Sequence, residues 1–285
     1  MPFTLSHAAA VLPAVRADGT GRGRLVPAVL VAGSFAPDMT YYAASALPGA
    51  MEFGEFTHSF TGVLTFDVLV SWTLVALWLL LREPLVALLP RSRQSRPAAL
   101  LRCGTPPARV GPALLARWYV SAVLGALTHV VWDAFTHHDR WGVRLLPALD
   151  RELAGTPLFQ YVQYGSSLVA AIVIAVFLHR MPTTAGPSGV PALSVRDRWW
   201  AAAVIGGCAL VAAVQRATRW WAYWGSTARL WELIPTVCFG AGAGLVLGLL
   251  VYAVGVRVWR PAPDAEGLAG VLTGSSRRGG DRPAG

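Results

Sequence analysis

The sequence predicts an all-α fold, a polytopic membrane helix bundle with five long spans plus a short or re-entrant N-terminal helix. Two observations carry this. Of the 285 residues, 54% are hydrophobic and only 14% charged, with a mean hydropathy of +0.49, where a soluble globular chain carries about 25% charged residues. The apolar residues also gather into five runs, roughly 61–81, 113–135, 162–180, 199–215 and 233–257, each near the ~20 residues needed to cross a hydrocarbon layer. An integral membrane domain is therefore assigned to 1–260. The Pro-, Gly-, Ser- and Arg-rich stretch 261–285 is predicted to be a disordered tail.

Taken in order, Met1 to Ala14 lacks a basic n-region and a long apolar h-region, and is not read as a signal peptide. Leu25 to Ala36 is apolar but too short for a span, which makes it a buried or re-entrant helix. After the first long span, the 82–117 loop carries Arg82, Arg91, Arg93, Arg96, Arg102, Arg109 and Arg117 against the single acid Glu83. Such a bias marks a cytoplasmic loop. Within it, 91–112 reads as flexible. The 181–198 loop and the tail after 257 fall on the same side, which puts the C-terminus in the cytoplasm. The loops 136–161 and 216–232 then face outside, and Trp220, Trp221, Tyr223 and Trp224 form an aromatic belt near that interface.

The net charge of +9 comes from arginine alone, because the chain has no lysine. These arginines flank apolar segments, so topology accounts for them and nucleic acid is not an expected partner. Membrane lipid is. The three cysteines, Cys103, Cys208 and Cys238, provide neither a disulfide framework nor a metal motif.

Chemistry concentrates in Thr128–His137, where His129, Asp133 and His137 stand four residues apart in an apolar run. On a helix of 3.6 residues per turn they share one face. Imidazole and carboxylate are ligands for zinc and similar divalent ions, and ionisable groups at membrane depth are costly without a function. The arginine bias places His58 at the same end of the bundle. His7 and Asp38 join them if the N-terminal region folds over that end. His129 and His137 lie ~12 Å apart along an ideal helix axis, too far to share one ion. Either the helix breaks after Asp133 and His137 folds back, or two ions sit with Asp133 between them. Asp133 as a mere hydrogen-bond partner of His129 also remains open. Glu52 and Glu55, just before His58, are candidates for proton transfer. Asp67 lies within the first span and is left outside the ligand set.

The motifs Pro2-Phe3-Thr4-Leu5-Ser6-His7, Gly33-Ser34-Phe35-Ala36-Pro37-Asp38, Thr57-His58-Ser59 with Gly62, Thr128-His129 with Trp132-Asp133 and Phe135-Thr136-His137, and Gln163-Tyr164-Gly165-Ser166-Ser167 together resemble the bacterial DUF4184 family of membrane proteins. The resemblance covers residues 1 to about 180 and implies a location in the bacterial inner membrane. More distantly, the order of these residues is similar to membrane-bound metal-dependent hydrolases and to the zinc-dependent phospholipase C and nuclease superfamily. That likeness implies that His7, Asp38, His58, His129, Asp133 and His137 bind divalent metal, with zinc the leading ion, and that the substrate is a phosphoester in a lipid or lipid-linked molecule. The chain departs from the superfamily in lacking a later His-x-x-x-Glu pair. A structural metal or polar helix-locking cluster is the alternative, and an ion transporter the third reading.

Overall fold

A computed structural model describes residues 4–47, 49–104, 111–182, 190, 193–225 and 233–259. A 3-10 turn at Thr4–His7 leads into α1 (Ala8–Val11). Helix α2 (Pro27–Phe35) is followed by a 3-10 turn at Ala36–Asp38 and by α3 (Met39–Ala43). The short helices α4 (Gly54–Thr57) and α5 (Phe60–Leu64) precede the long α6 (Phe66–Ala87). Then come α7 (Ser95–Arg102), α8 (Pro112–Thr136), α9 (Trp141–Leu145), a minimal antiparallel pair Glu152–Leu153 and Thr156–Pro157, α10 (Leu158–Arg180), α11 (Val195–Trp224) and α12 (Leu233–Trp259). Helices α6, α8, α10, α11 and α12 are each long and apolar enough to cross a membrane. The protein is thus an all-α, multi-pass membrane protein. Helix α2 has nine residues, ~13 Å of rise, and packs against α8 and α6 as a short buried helix. The tail predicted for 261–285 lies outside the described residues.

The boundaries differ from the apolar runs in three places. The run beginning at 61 is two helices, because Thr65 (φ −126°, ψ −84°) breaks the chain between α5 and α6. The fourth span continues to Trp224, so Arg216, Arg219 and the Trp-rich stretch lie on helix rather than in a loop. Trp221, Tyr223 and Trp224 are exposed on its last turns, as interfacial anchors are. The segment 91–112 contains α7, which is tied down at both ends. Arg102 makes a bidentate pair with Glu83 (2.9 and 2.6 Å). Arg96 donates to the Leu178 and His179 carbonyls (3.0 and 2.8 Å), satisfying the otherwise open end of α10.

One crossing positions the functional end of the bundle. Helices α2 and α8 meet at Gly33 and Gly125. A Cβ on Gly125 would lie 2.3 Å from the Leu30 carbonyl oxygen, and one on Gly33 would lie 2.5 Å from that of Ala122. Two backbones in contact at this distance exclude any side chain. Small residues serve this purpose in bilayers, where apolar burial provides no drive between helices. The contact carries the C-terminal turns of α8 up to the end of α2, where Ser34 and Asp38 wait.

Candidate metal centre

The six residues singled out as ligands come from separate pieces of chain. His7 closes the first 3-10 turn and Asp38 the turn after α2. His58 caps the C-terminus of α4, His129 and Asp133 lie one turn apart on α8, and His137 follows that helix. His7, Asp38, His58, His129 and Asp133 are all buried. Asp38, His58, His129 and Asp133 each offer one ligand atom, and these atoms lie within 4.8 Å of one another.

The imidazole orientations are set by the backbone. His129 Nδ1 lies 2.7 Å from the Ser34 carbonyl oxygen and His58 Nδ1 2.8 Å from that of Gly54. A carbonyl only accepts, so in each ring Nδ1 carries the proton and Nε2 presents a lone pair. Metal-binding histidines are commonly fixed in this way. The two Nε2 atoms face the carboxylates. His129 Nε2 is 3.5 Å from Asp38 Oδ1 and 3.4 Å from Asp133 Oδ2. His58 Nε2 is 3.7 and 3.6 Å from the same two oxygens. These gaps exceed the 2.7–3.2 Å of good hydrogen bonds. Ligands bonded at ~2.1 Å around a tetrahedral ion sit about 3.4 Å apart, close to the spacing found. Among the described residues, Asp38 Oδ1, Asp133 Oδ1, His129 Nε2 and both ring nitrogens of His7 have no hydrogen-bond partner. Buried polar atoms are rarely left so. The donor set and its unsatisfied atoms fit a divalent cation.

The second oxygen of Asp133 faces another group. His7 Nε2 is 3.4 Å and His137 Nδ1 3.5 Å from Asp133 Oδ1. The His7 ring stacks on His129 at 3.7 Å between centroids. The helix ends at Thr136, and extended backbone at His137 (φ −131°, ψ 144°) lets its ring turn back, placing Nδ1 also 3.2 Å from the Asp133 carbonyl oxygen. Gln163 lies 3.1 Å from His137 Nε2, so the orientation of its amide selects which ring nitrogen carries the proton. Burial, with His129 alongside, pushes the His7 imidazole down to about 3. Burial likewise takes His137 down to about 4 against the pull of Asp133. Both rings are neutral at physiological pH, as ligands must be.

Glu52 and Glu55 are exposed and stand outside the cluster. Asp67, in the first turn of α6, is fully buried with both carboxylate oxygens lacking a partner. His138 is exposed.

Several residues of the motifs, beyond the ligands themselves, support the cluster. Thr4 donates to Asp38 Oδ2 at 2.5 Å, and Thr57 donates to the Pro37 carbonyl at 2.8 Å, holding the turn that carries Asp38. Trp132 Nε1 donates to Ser166 Oγ at 3.1 Å, which sets α10 against α8. The motif residues Thr4, Ser34 and Gln163 thus converge on the ligands from three segments. Tyr41 and Arg140 also reach this end and belong to no spacing pattern.

The family model described as a domain of unknown function, DUF4184, matches residues 1–254, well past the last of the motifs. No curated protein matches the chain, and no solved structure does.

Proposed function

The chain belongs to the DUF4184 family, and from that premise and the geometry of the buried cluster we propose that it is a membrane-embedded, metal-dependent hydrolase acting on phosphoester bonds of lipid or lipid-linked substrates. The observation that carries the reading is the pair of histidines whose Nδ1–H groups are held by Ser34 and Gly54, leaving both Nε2 atoms aimed at Asp38 and Asp133. A cluster serving only to lock helices would close its own hydrogen bonds, whereas here the facing atoms stay at ligand–ligand distance.

The two oxygens of Asp133 divide the donors into two positions. Asp38, His58, His129 and Asp133 Oδ2 form a four-donor position. His7 Nε2 and His137 Nδ1 both face Asp133 Oδ1; with His137 in the tautomer that leaves Nδ1 unprotonated, they would make a three-donor position, and three protein ligands plus an open coordination site are the pattern of catalytic zinc. A divalent ion, with zinc best suited to these donors, would lower the pKa of a bound water towards about 7 and polarise a phosphoryl oxygen. The protein residues would bind it, hold the imidazoles neutral and keep bulk water away from the buried carboxylates. The arginine bias of the 82–117 loop supports an extracytoplasmic position for the centre in a bacterial inner membrane.

A second reading has its own support. The four-donor position is closed and buried, as structural metal sites are, so a non-catalytic protein with a structural ion is the competing function.

Elemental analysis of the detergent-purified protein separates these. Bound zinc or manganese is expected in stoichiometric amount, and lost in both His129→Ala and Asp133→Ala. Metal-dependent cleavage of phosphoester lipids, abolished in His137→Ala with the four-donor ion retained, supports the hydrolase. Retained metal with no turnover of any phosphoester lipid supports the structural ion. A protein that stays metal-free after controlled reloading would end both readings.

A further inference from the structure

Two groups at the rim of the cluster are not used by the metal reading. Tyr41 lies on α3, one turn beyond Asp38, with its ring 5.6 Å from that of His58. It fits there because residue 54 is glycine, where a Cβ would come within 2.8 Å of the phenolic oxygen. The backbone of Tyr41 is held from α11 by Arg216, which donates to its carbonyl oxygen at 2.6 Å. The tyrosine hydroxyl stands in the field of Asp38, Asp133 and Arg140, and α9, which begins just after Arg140, packs against the end of α8 at Gly142, where a Cβ would lie 2.5 Å from the Ala134 carbonyl oxygen.

Arg140 is half-buried at the N-cap of α9. The turn that presents it contains Asp139 in the left-handed region (φ 57°). Asp139 spends its carboxylate on Arg144, at 3.0 and 2.8 Å, and no carboxylate among the described residues forms an ion pair with Arg140. The rim therefore carries a permanent cation and a hydroxyl beside the buried histidines and aspartates. A guanidinium in such a place suits phosphoryl oxygens, which it engages by charge-assisted hydrogen bonds.

We propose that Arg140 and Tyr41 form an oxyanion-binding pair that holds the non-bridging oxygens of a phosphoryl group against the metal centre. This rests on the metal-dependent reading above and names the ligand chemistry of the same site. The phosphoryl group comes either from a lipid headgroup or from a free phosphate compound.

The test is binding, measured apart from turnover. The full chain in detergent, metal-loaded, is titrated calorimetrically with inorganic phosphate and, separately, with phosphatidic acid in mixed micelles against phosphatidylcholine micelles as control. Arg140→Gln, Arg140→Lys and Tyr41→Phe are compared at verified metal content. Arg140→Gln is expected to weaken binding about ten- to a hundredfold, the range for losing a hydrogen bond to a charged group, with Arg140→Lys recovering part of it. Tyr41→Phe should cost about three- to tenfold. Equal penalties for both ligands identify the phosphoryl group itself as what is held. Binding of phosphatidic acid alone, still lost in Arg140→Gln, identifies the lipid headgroup. Unchanged binding in Arg140→Gln, loss of metal in that variant, or no binding of either ligand to the wild-type protein overturns the inference. Arg140-dependent binding without hydrolysis would keep this inference and sink the hydrolase. Hydrolysis indifferent to Arg140→Gln would do the reverse.

Discussion

Helices α2, α6, α8 and α10 gather around imidazoles and carboxylates, whereas α11 and α12 meet through glycine. In the hairpin, Gly240, Gly244 and Gly248 press against Ala212, Cys208 and Ile205, with Cβ positions 2.7, 2.2 and 2.7 Å from backbone atoms of the facing helix. No carboxylate, imidazole or arginine of the described hairpin is buried. Its links to the rest are few and specific. Arg216 bonds the Tyr41 carbonyl and Ser45 Oγ (2.6 and 2.8 Å), and Tyr252 donates to the Pro84 carbonyl (2.9 Å). Close backbone approach suffices to join two helices in a bilayer, so the buried histidines and aspartates elsewhere are not needed for assembly. Their desolvation is costly, and that cost points to chemistry.

The sharpest way to break this comparison is the same substitution in both regions. Gly125→Leu must force α2 and α8 apart, since even a Cβ would meet the Leu30 carbonyl oxygen at 2.3 Å. It should destabilise by several kcal/mol (overpacking alone costs about 1–3 kcal/mol) and abolish metal binding by pulling Ser34 from His129. Gly240→Leu should destabilise the hairpin by a similar amount and leave metal content intact. Thermal melting and elemental analysis of both variants check this, and loss of metal in Gly240→Leu would mean the two regions are one cooperative unit.

A smaller effect is expected at Thr4, whose hydroxyl orients Asp38. Thr4→Val should lower metal affinity about ten- to a hundredfold, the usual consequence of removing a group that holds a ligand in place, with little change in melting temperature. Competition with a chelator of known affinity measures it, and unchanged affinity would remove Asp38 from the ligand set.

The smallest effect has the opposite sign. Asp67 buries a carboxylate without a partner, so Asp67→Leu, which deletes the unpaired polar group, should stabilise the protein by about 1–3 kcal/mol at unchanged metal content. A loss of metal instead would enlist Asp67 in the centre.

Much of this was legible along the chain, and the parts that were not share a cause. Apolar run lengths located the five spans, yet a hydropathy window cannot see the break at Thr65, because both sides of it are apolar. Four-residue spacing placed His129 and Asp133 on one helical face, and both alternatives left for His137 turned on whether the helix continued. The structure ends it at Thr136, while Asp133 still faces both ways.

By itself the sequence determined the membrane setting, the helical class and the identity of the buried polar residues, because hydropathy and helical period are local properties of the chain. Only the tertiary structure decided that His7, Asp38 and His58 meet His129 and Asp133, that Glu52 and Glu55 do not, and that Tyr41 and Arg140 stand at the rim. Those relations depend on the glycine-to-glycine crossing of α2 and α8 and on the Ser34 carbonyl, far away in sequence, that orients His129. Contacts between segments far apart in sequence leave no periodic trace in either one.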